Sequence, residues 1–151
     1  MKLLFSFFVT VSLLLAVTVT PASADDFYDV TVVKVKDAKT LIVDIRNLPP
    51  VFGSRISVEI SGIMVPKSDG QCVLEARLAY EAKRFINYFI QGSSRVNLYN
   101  MTRADKSFSL GGRIEVDGED LGQFLINEGI ALPTHSAVNP FVWCEKPEEE
   151  V

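Results

Sequence analysis

The sequence predicts an α+β, mainly β domain: a five-stranded barrel with one helix between its third and fourth strands and one or two short C-terminal helices. Three observations carry this expectation. Short β-branched runs with tight connections come first, an amphipathic helix follows, and two further strands and a short helix complete the order. Such an order is the OB-type layout of small Greek-key barrels.

The runs Tyr28 to Val35 and Thr40 to Arg46 are rich in Val, Ile and Thr, and the four residues between them suit a hairpin. Asn47 to Ser54 contains Pro49, Pro50 and Gly53 and reads as a loop. From Ile56 to Ile63 apolar and polar residues alternate, as in a half-buried strand. The period then changes. Leu74, Leu78, Ala82, Phe85, Ile86 and Phe89 recur every three or four residues, so Val73 to Ile90 reads as a helix with Gly92 as a left-handed cap. Phe85 and Phe89 belong to its core face. Arg95 to Met101 and Arg113 to Val116 are the remaining strands, and Leu121 to Glu128 is a short helix stopped by Gly129. Pro133 to Trp143 is irregular, with Phe141 and Trp143 expected to cover one barrel end.

Met1-Lys2, the apolar run from Leu3 to Val19 and the small residues Ala22-Ser23-Ala24 describe a secretory signal peptide over residues 1–24. A retained anchor is the competing reading, because the run is nearly long enough to span a bilayer. Residues 25–151 then make a single domain, with a loose acidic tail at 145–151. The expected location is the periplasm or the extracellular medium.

The chain has 15 basic residues, of which Lys2 lies in the leader, and 19 acidic ones, so the remainder carries a charge of −5. Proteins that hold nucleic acid through its phosphates need a basic surface, and this balance disfavours such a partner. Two cysteines, Cys72 and Cys144, in an exported chain favour a disulfide over free thiols. Two thiols and one histidine, His135, are too few for a structural zinc, and His135 in its polar loop reads as solvated. Arg95 and Arg103 can form a small basic edge, or serve as charged strand-edge guards.

The order and spacing of several motifs resemble the staphylococcal nuclease (thermonuclease-like) family, in particular its exported bacterial branch. Val32 to Val35 with Asp37-Ala38-Lys39-Thr40 is similar to the family's first hairpin, whose turn reads Asp-Gly-Asp-Thr. Leu48-Pro49-Pro50 looks like a proline insertion of exported relatives. Gly62 to Lys67 falls on the family's Gly-Ile-Asp-Thr/Ala-Pro-Glu. Gly70-Gln71-Cys72 with Glu75-Ala76, and Val116-Asp117-Gly118 with Leu121-Gly122 and Gly129-Ile130-Ala131, match the start of the first helix and the closing strand and helix. Trp143-Cys144 is another feature of those relatives, and the resemblance implies that Cys144 pairs with Cys72.

The resemblance implies a calcium-dependent phosphodiesterase in active members: carboxylates hold the ion, a glutamate handles the attacking water, and two arginines neutralise the phosphate. This chain departs from that pattern at every position. The hairpin ligand corresponds to Lys39, the Gly-Ile-Asp aspartate to Met64, its backbone-ligand neighbour to Val65, and the glutamate to Lys67. The two arginines correspond to Glu59 and Ser109, and two tyrosine positions to Ser107 and Thr134. An ammonium cannot ligate calcium, and a thioether is a poor ligand for it. No catalytic residue, metal or cofactor is therefore expected. A metal site rebuilt from Asp37, Glu59 and Asp69 is opposed by the intervening lysines.

The expected function is that of an exported, nuclease-like domain acting as a binding or accessory module, monomeric, with a protein or an anionic ligand as partner. The alternative is a weak or altered calcium-dependent endonuclease on DNA or RNA. Lys39, Glu59 and Lys67 are expected to converge on one pocket. They would do so either as an ion-paired cluster, as an anion site, or as side chains that simply reach solvent.

Overall fold

The computed structural model describes residues 25–103, 108–135, 139 and 142–144; the expected signal peptide at 1–24, the expected acidic tail at 145–151, Ser107 and Phe141 lie outside the described residues. The first β-branched run is split. β1 (Asp25–Phe27) pairs antiparallel with β6 (Val96–Arg103), Asp29 takes a left-handed φ of 52°, and β2 (Thr31–Val35) starts only after that turn. Asp29 N–H donates to Asn97 Oδ1 at 3.0 Å, which anchors the turn on the neighbouring strand.

β2 pairs antiparallel with β3 (Thr40–Asp44), and β3 with β4 (Ile56–Ile60). β4 in turn runs parallel to β7 (Leu110–Val116), which pairs with β6. The order is therefore β1-β6-β7-β4-β3-β2, with β8 (Glu119–Asp120) folded back on β7. At the far edge Val30 N–H donates to Val96 O at 2.9 Å, so the chain entering β2 returns to β6 and the sheet curls into a half-barrel. The result is an α+β fold compatible with an OB-like barrel. Its main sheet has more strands than the expected five, because β1 and β8 join as short outer pieces.

Alternation gives the sheet its inner face. Leu41 and Val43 of β3, Val58 and Ile60 of β4, Leu98 of β6 and Ile114 and Val116 of β7 are all buried. α2 (Val73–Gln91) lies between β5 (Ile63–Met64) and β6 in the chain and contributes Ala82 and Ile86. α3 (Leu121–Asn127) adds Leu121 and Leu125. Phe85 and Phe89 are half-buried and stack on Phe124 of α3, with centroids 5.7 and 4.5 Å away. Among the described residues no helix is long and apolar enough to cross a membrane.

Three local expectations change. The Ile56–Ile63 strand breaks at Ser61-Gly62, where Gly62 takes φ 78°, and β5 pairs instead with β9 (Leu132–Pro133). The proline loop contains a single helical turn, α1 (Pro50–Gly53), because proline suits the first helical position. Gly92 caps α2 with a right-handed φ of −84°, since Ser93 closes the end through its N–H and Oγ, both on Ile90 O. Gly129, at φ 70°, ends α3 in the left-handed conformation that its position suggests.

Cys72 and Cys144 form a disulfide across 72 residues of sequence, fixing the chain near its described end to the start of α2. Removing it with Cys72→Ser should lower the unfolding free energy by about 4 kcal/mol in the chain-entropy account. Urea denaturation with and without a dithiol reductant checks this, and a loss under about 1 kcal/mol would contradict the entropic account.

Candidate functional site

The turn between β2 and β3 is fixed by its own chemistry. Asp37 Oδ1 accepts the Lys39 N–H at 2.9 Å, a side-chain closure typical of aspartate in turns. Lys36 and Asp37 N–H both reach Thr40 O, and Lys39 O accepts the Ile60 N–H at 2.9 Å. The turn is thus tied to β4 on one side. Glu59 lies opposite Thr40 in the β3–β4 register and opposite Gly111 in the β4–β7 register, in the middle of the sheet. Ser109, buried just before β7, donates its Oγ to Glu59 Oε1 at 3.2 Å.

These residues open onto a cleft of about 490 Å³. Lys39, Glu59 and Lys67 all line it, as do Asp37 and Asp69. Lys36 from the turn and Tyr80 and Lys83 from α2 complete its charged and aromatic rim. Neither Lys39 nor Lys67 forms an ion pair among the described residues, and no ion pair joins Glu59 to either. Glu59 has its hydrogen bond from Ser109 instead. Hydrated ammonium groups gain little from pairing at an exposed rim.

The other corresponding positions lie apart. Met64 and Val65 line a second, adjoining cavity of about 430 Å³, together with Val142 and Trp143, the residues just before Cys144. Lys67 and Asp69 border both cavities. Ser109 is joined to the cleft residue Glu59 by its hydroxyl. Although Asp37, Glu59 and Asp69 share the cleft, no group of three or more His, Cys, Asp or Glu residues among those described is arranged to hold a metal ion. His135 and Arg95 are exposed, and Arg103 lies 5.8 Å above the ring of the exposed Phe108.

The loop that carries Lys67 is organised by Glu75, a residue whose role the sequence did not reveal. Glu75 is only 5 % exposed. Its Oε1 accepts the Lys67 N–H at 3.1 Å and its Oε2 the Gln71 N–H at 2.7 Å. Its own N–H donates to Cys72 Sγ at 3.4 Å, with Cys72 as the N-cap of α2. A carboxylate three residues after a helix cap is the available sequence signal, because the capping box places an acid there. Gly70 packs so closely against this carboxylate that a Cβ would collide with it. Lys36, Tyr80 and Lys83 were also missed, since only the tertiary fold brings turn and helix together.

A second polar cluster sits on the outer face of β6 and β7. Asn97 Nδ2 donates to Glu115 Oε1 at 3.1 Å, and Tyr99 OH donates to the same oxygen at 3.3 Å. The Arg113 guanidinium lies 4.7 Å over the Tyr99 ring, and Tyr28 meets that ring edge-on at 5.7 Å. Desolvation first and the Glu115 charge second raise the Tyr99 phenol above its usual range. A raised folded-state value stabilises the fold at pH below the ordinary phenol range, and that contribution disappears as pH rises through the raised value.

Compared with models of known protein families and with curated proteins, the sequence matches none.

Two outcomes test this account. Glu75→Gln should cost about 1–3 kcal/mol in urea denaturation, because an amide supplies one acceptor where two N–H groups need two. Glu115→Gln should move the Tyr99 titration downward, toward the ordinary phenol range, as read by NMR of the ring carbons.

Proposed function

We propose that this chain is an exported domain of the staphylococcal-nuclease type, built on a five-stranded OB-type barrel, that works as a binding module and not as a nuclease. One observation carries the reading. Lys39 and Lys67, which stand where the resemblance expects a metal-binding carboxylate and the catalytic glutamate, line a single cleft with Glu59. A site whose anionic cage has become cationic is suited to hold an anion directly, since lysines bind phosphate or carboxylate as point charges. The cleft lies between the first hairpin turn, the loop carrying Lys67 and α2, and the first hairpin turn is among the loops through which OB-type barrels receive ligands. The Cys72–Cys144 bridge supports an oxidising compartment, in keeping with the leader.

The binding reading is tested on the oxidised protein with inorganic phosphate as the probe. Titration should shift the backbone amide NMR signals of Lys39 and Lys67 saturably, and the Lys39→Ala/Lys67→Ala pair should abolish the saturation. Shifts that stay linear to high phosphate would overturn the reading. In parallel, calcium and single-stranded DNA should yield no cleavage. Metal-dependent cleavage lost on changing Asp37, Glu59 or Asp69 would instead establish a rebuilt phosphodiesterase.

A further inference from the structure

We propose that the cleft and the neighbouring cavity together form one site for an extended segment of a partner protein in which carboxylates flank a large apolar side chain. The inference rests on the binding-module reading and names the partner's chemistry.

The two cavities adjoin, because Lys67 and Asp69 line both. Both linings are mixed, but they differ in residue type. One carries the ammonium groups of Lys36, Lys39 and Lys83, and the other sets Met64, Val65 and Trp143 beside the amide side chains of Gln71 and Asn139. The loop that carries Lys67 and Asp69 is held by the two hydrogen bonds that Glu75 accepts from the Lys67 and Gln71 backbone. A ligand that spans both cavities meets different groups in each.

Three ligand classes carry negative charge, and the linings separate them. A single inorganic oxyanion could occupy the lysine side but leaves the apolar side unused. A nucleic acid presents a regular series of phosphates, while the chain carries a net charge of −4 and the second cavity is walled by Met64, Val65 and Trp143. In a nucleic acid the donors open to Asp69, which lines both cavities, sit on bases and sugars and not on the charged backbone that the lysines would hold. An extended peptide supplies all three kinds of group. Side chains two residues apart in a strand lie about 6.6–6.8 Å from each other on one face, so carboxylates and an apolar group can enter the two sides in turn. Its backbone N–H groups can donate to Asp69, whose charge would only repel a pure anion. Glu59 is already engaged by Ser109, and Asp37 by the Lys39 N–H, which moderates their repulsion of an incoming carboxylate.

The test is fluorescence anisotropy of the oxidised protein with labelled ten-residue peptides. One has four Asp or Glu residues around a central Leu, a second replaces that Leu by Ser, and a third replaces the acids by Lys. A ten-nucleotide single strand is run beside them. The first peptide should bind saturably and weaken on adding salt. It should weaken about tenfold with Lys67→Ala, the loss of one close charge contact. Met64→Ser, a neutral change in the second cavity, should weaken the first peptide and leave phosphate titration of Lys39 and Lys67 unchanged. Equal binding of the Leu and Ser peptides would overturn the composite site, as would a single strand that binds more tightly than the first peptide. If the peptide fails while phosphate still saturates Lys39 and Lys67, this proposal falls and the anion-binding reading stands. If neither saturates, both fall.

Discussion

The buried carboxylate of Glu75 is the point on which this side of the molecule depends. It lies in the first turn of α2, where exposed N–H groups and the helix dipole favour a negative charge. It also accepts two N–H groups from the preceding loop, so one side chain holds the helix start and the loop together. A buried acid is costly unless its oxygens are satisfied. Here both are, and the disulfide at Cys72 secures the same corner covalently. The requirement propagates to Gly70, where the carboxylate leaves no room for a side chain.

From that corner the geometry of the cleft follows. Glu75 fixes the backbone of Lys67, the β3–β4 register fixes Glu59 opposite Thr40, and the Asp37 side chain fixes the turn that carries Lys39. The parallel pairing of β4 with β7 brings the segment before β7 alongside, so Ser109 can donate to Glu59. Each lysine thus projects from a backbone position held by hydrogen bonds, while its long stem and hydrated head stay adaptable. Rigid anchors with adaptable tips suit ligand recognition better than they suit metal chemistry, which needs anionic ligands in fixed geometry.

The charged residues of the cleft lie outside the packing that makes the fold. None of Lys39, Glu59 or Lys67 belongs to the apolar core, which is made by β3, β4, β6 and β7 with α2 and α3. Changing them alters what the cleft attracts without touching the packing that sustains the barrel. The second cavity draws on distant parts of the described chain, since Trp143, next to the disulfide-bonded Cys144, shares its lining with Met64 and Val65.

What the sequence determined by itself was the local periodicity and the chemistry of individual positions. The alternation in β4 and the three-and-four spacing of α2 were legible because each reflects a face turned toward one core. The lysines at positions 39 and 67 were equally plain, since side-chain chemistry alone bears on calcium ligation. The tertiary structure decided the rest. It split the first strand at Asp29 and broke the third at Gly62, because cross-strand hydrogen bonds from Asn97 and β9 compete with continued pairing there. It placed Met64 and Val65 in a different cavity from Lys39, brought Lys83 and Tyr80 into the cleft, and gave Glu75 its two acceptor roles. Those outcomes depend on residues distant in the chain meeting in space, and no local pattern encodes such a meeting.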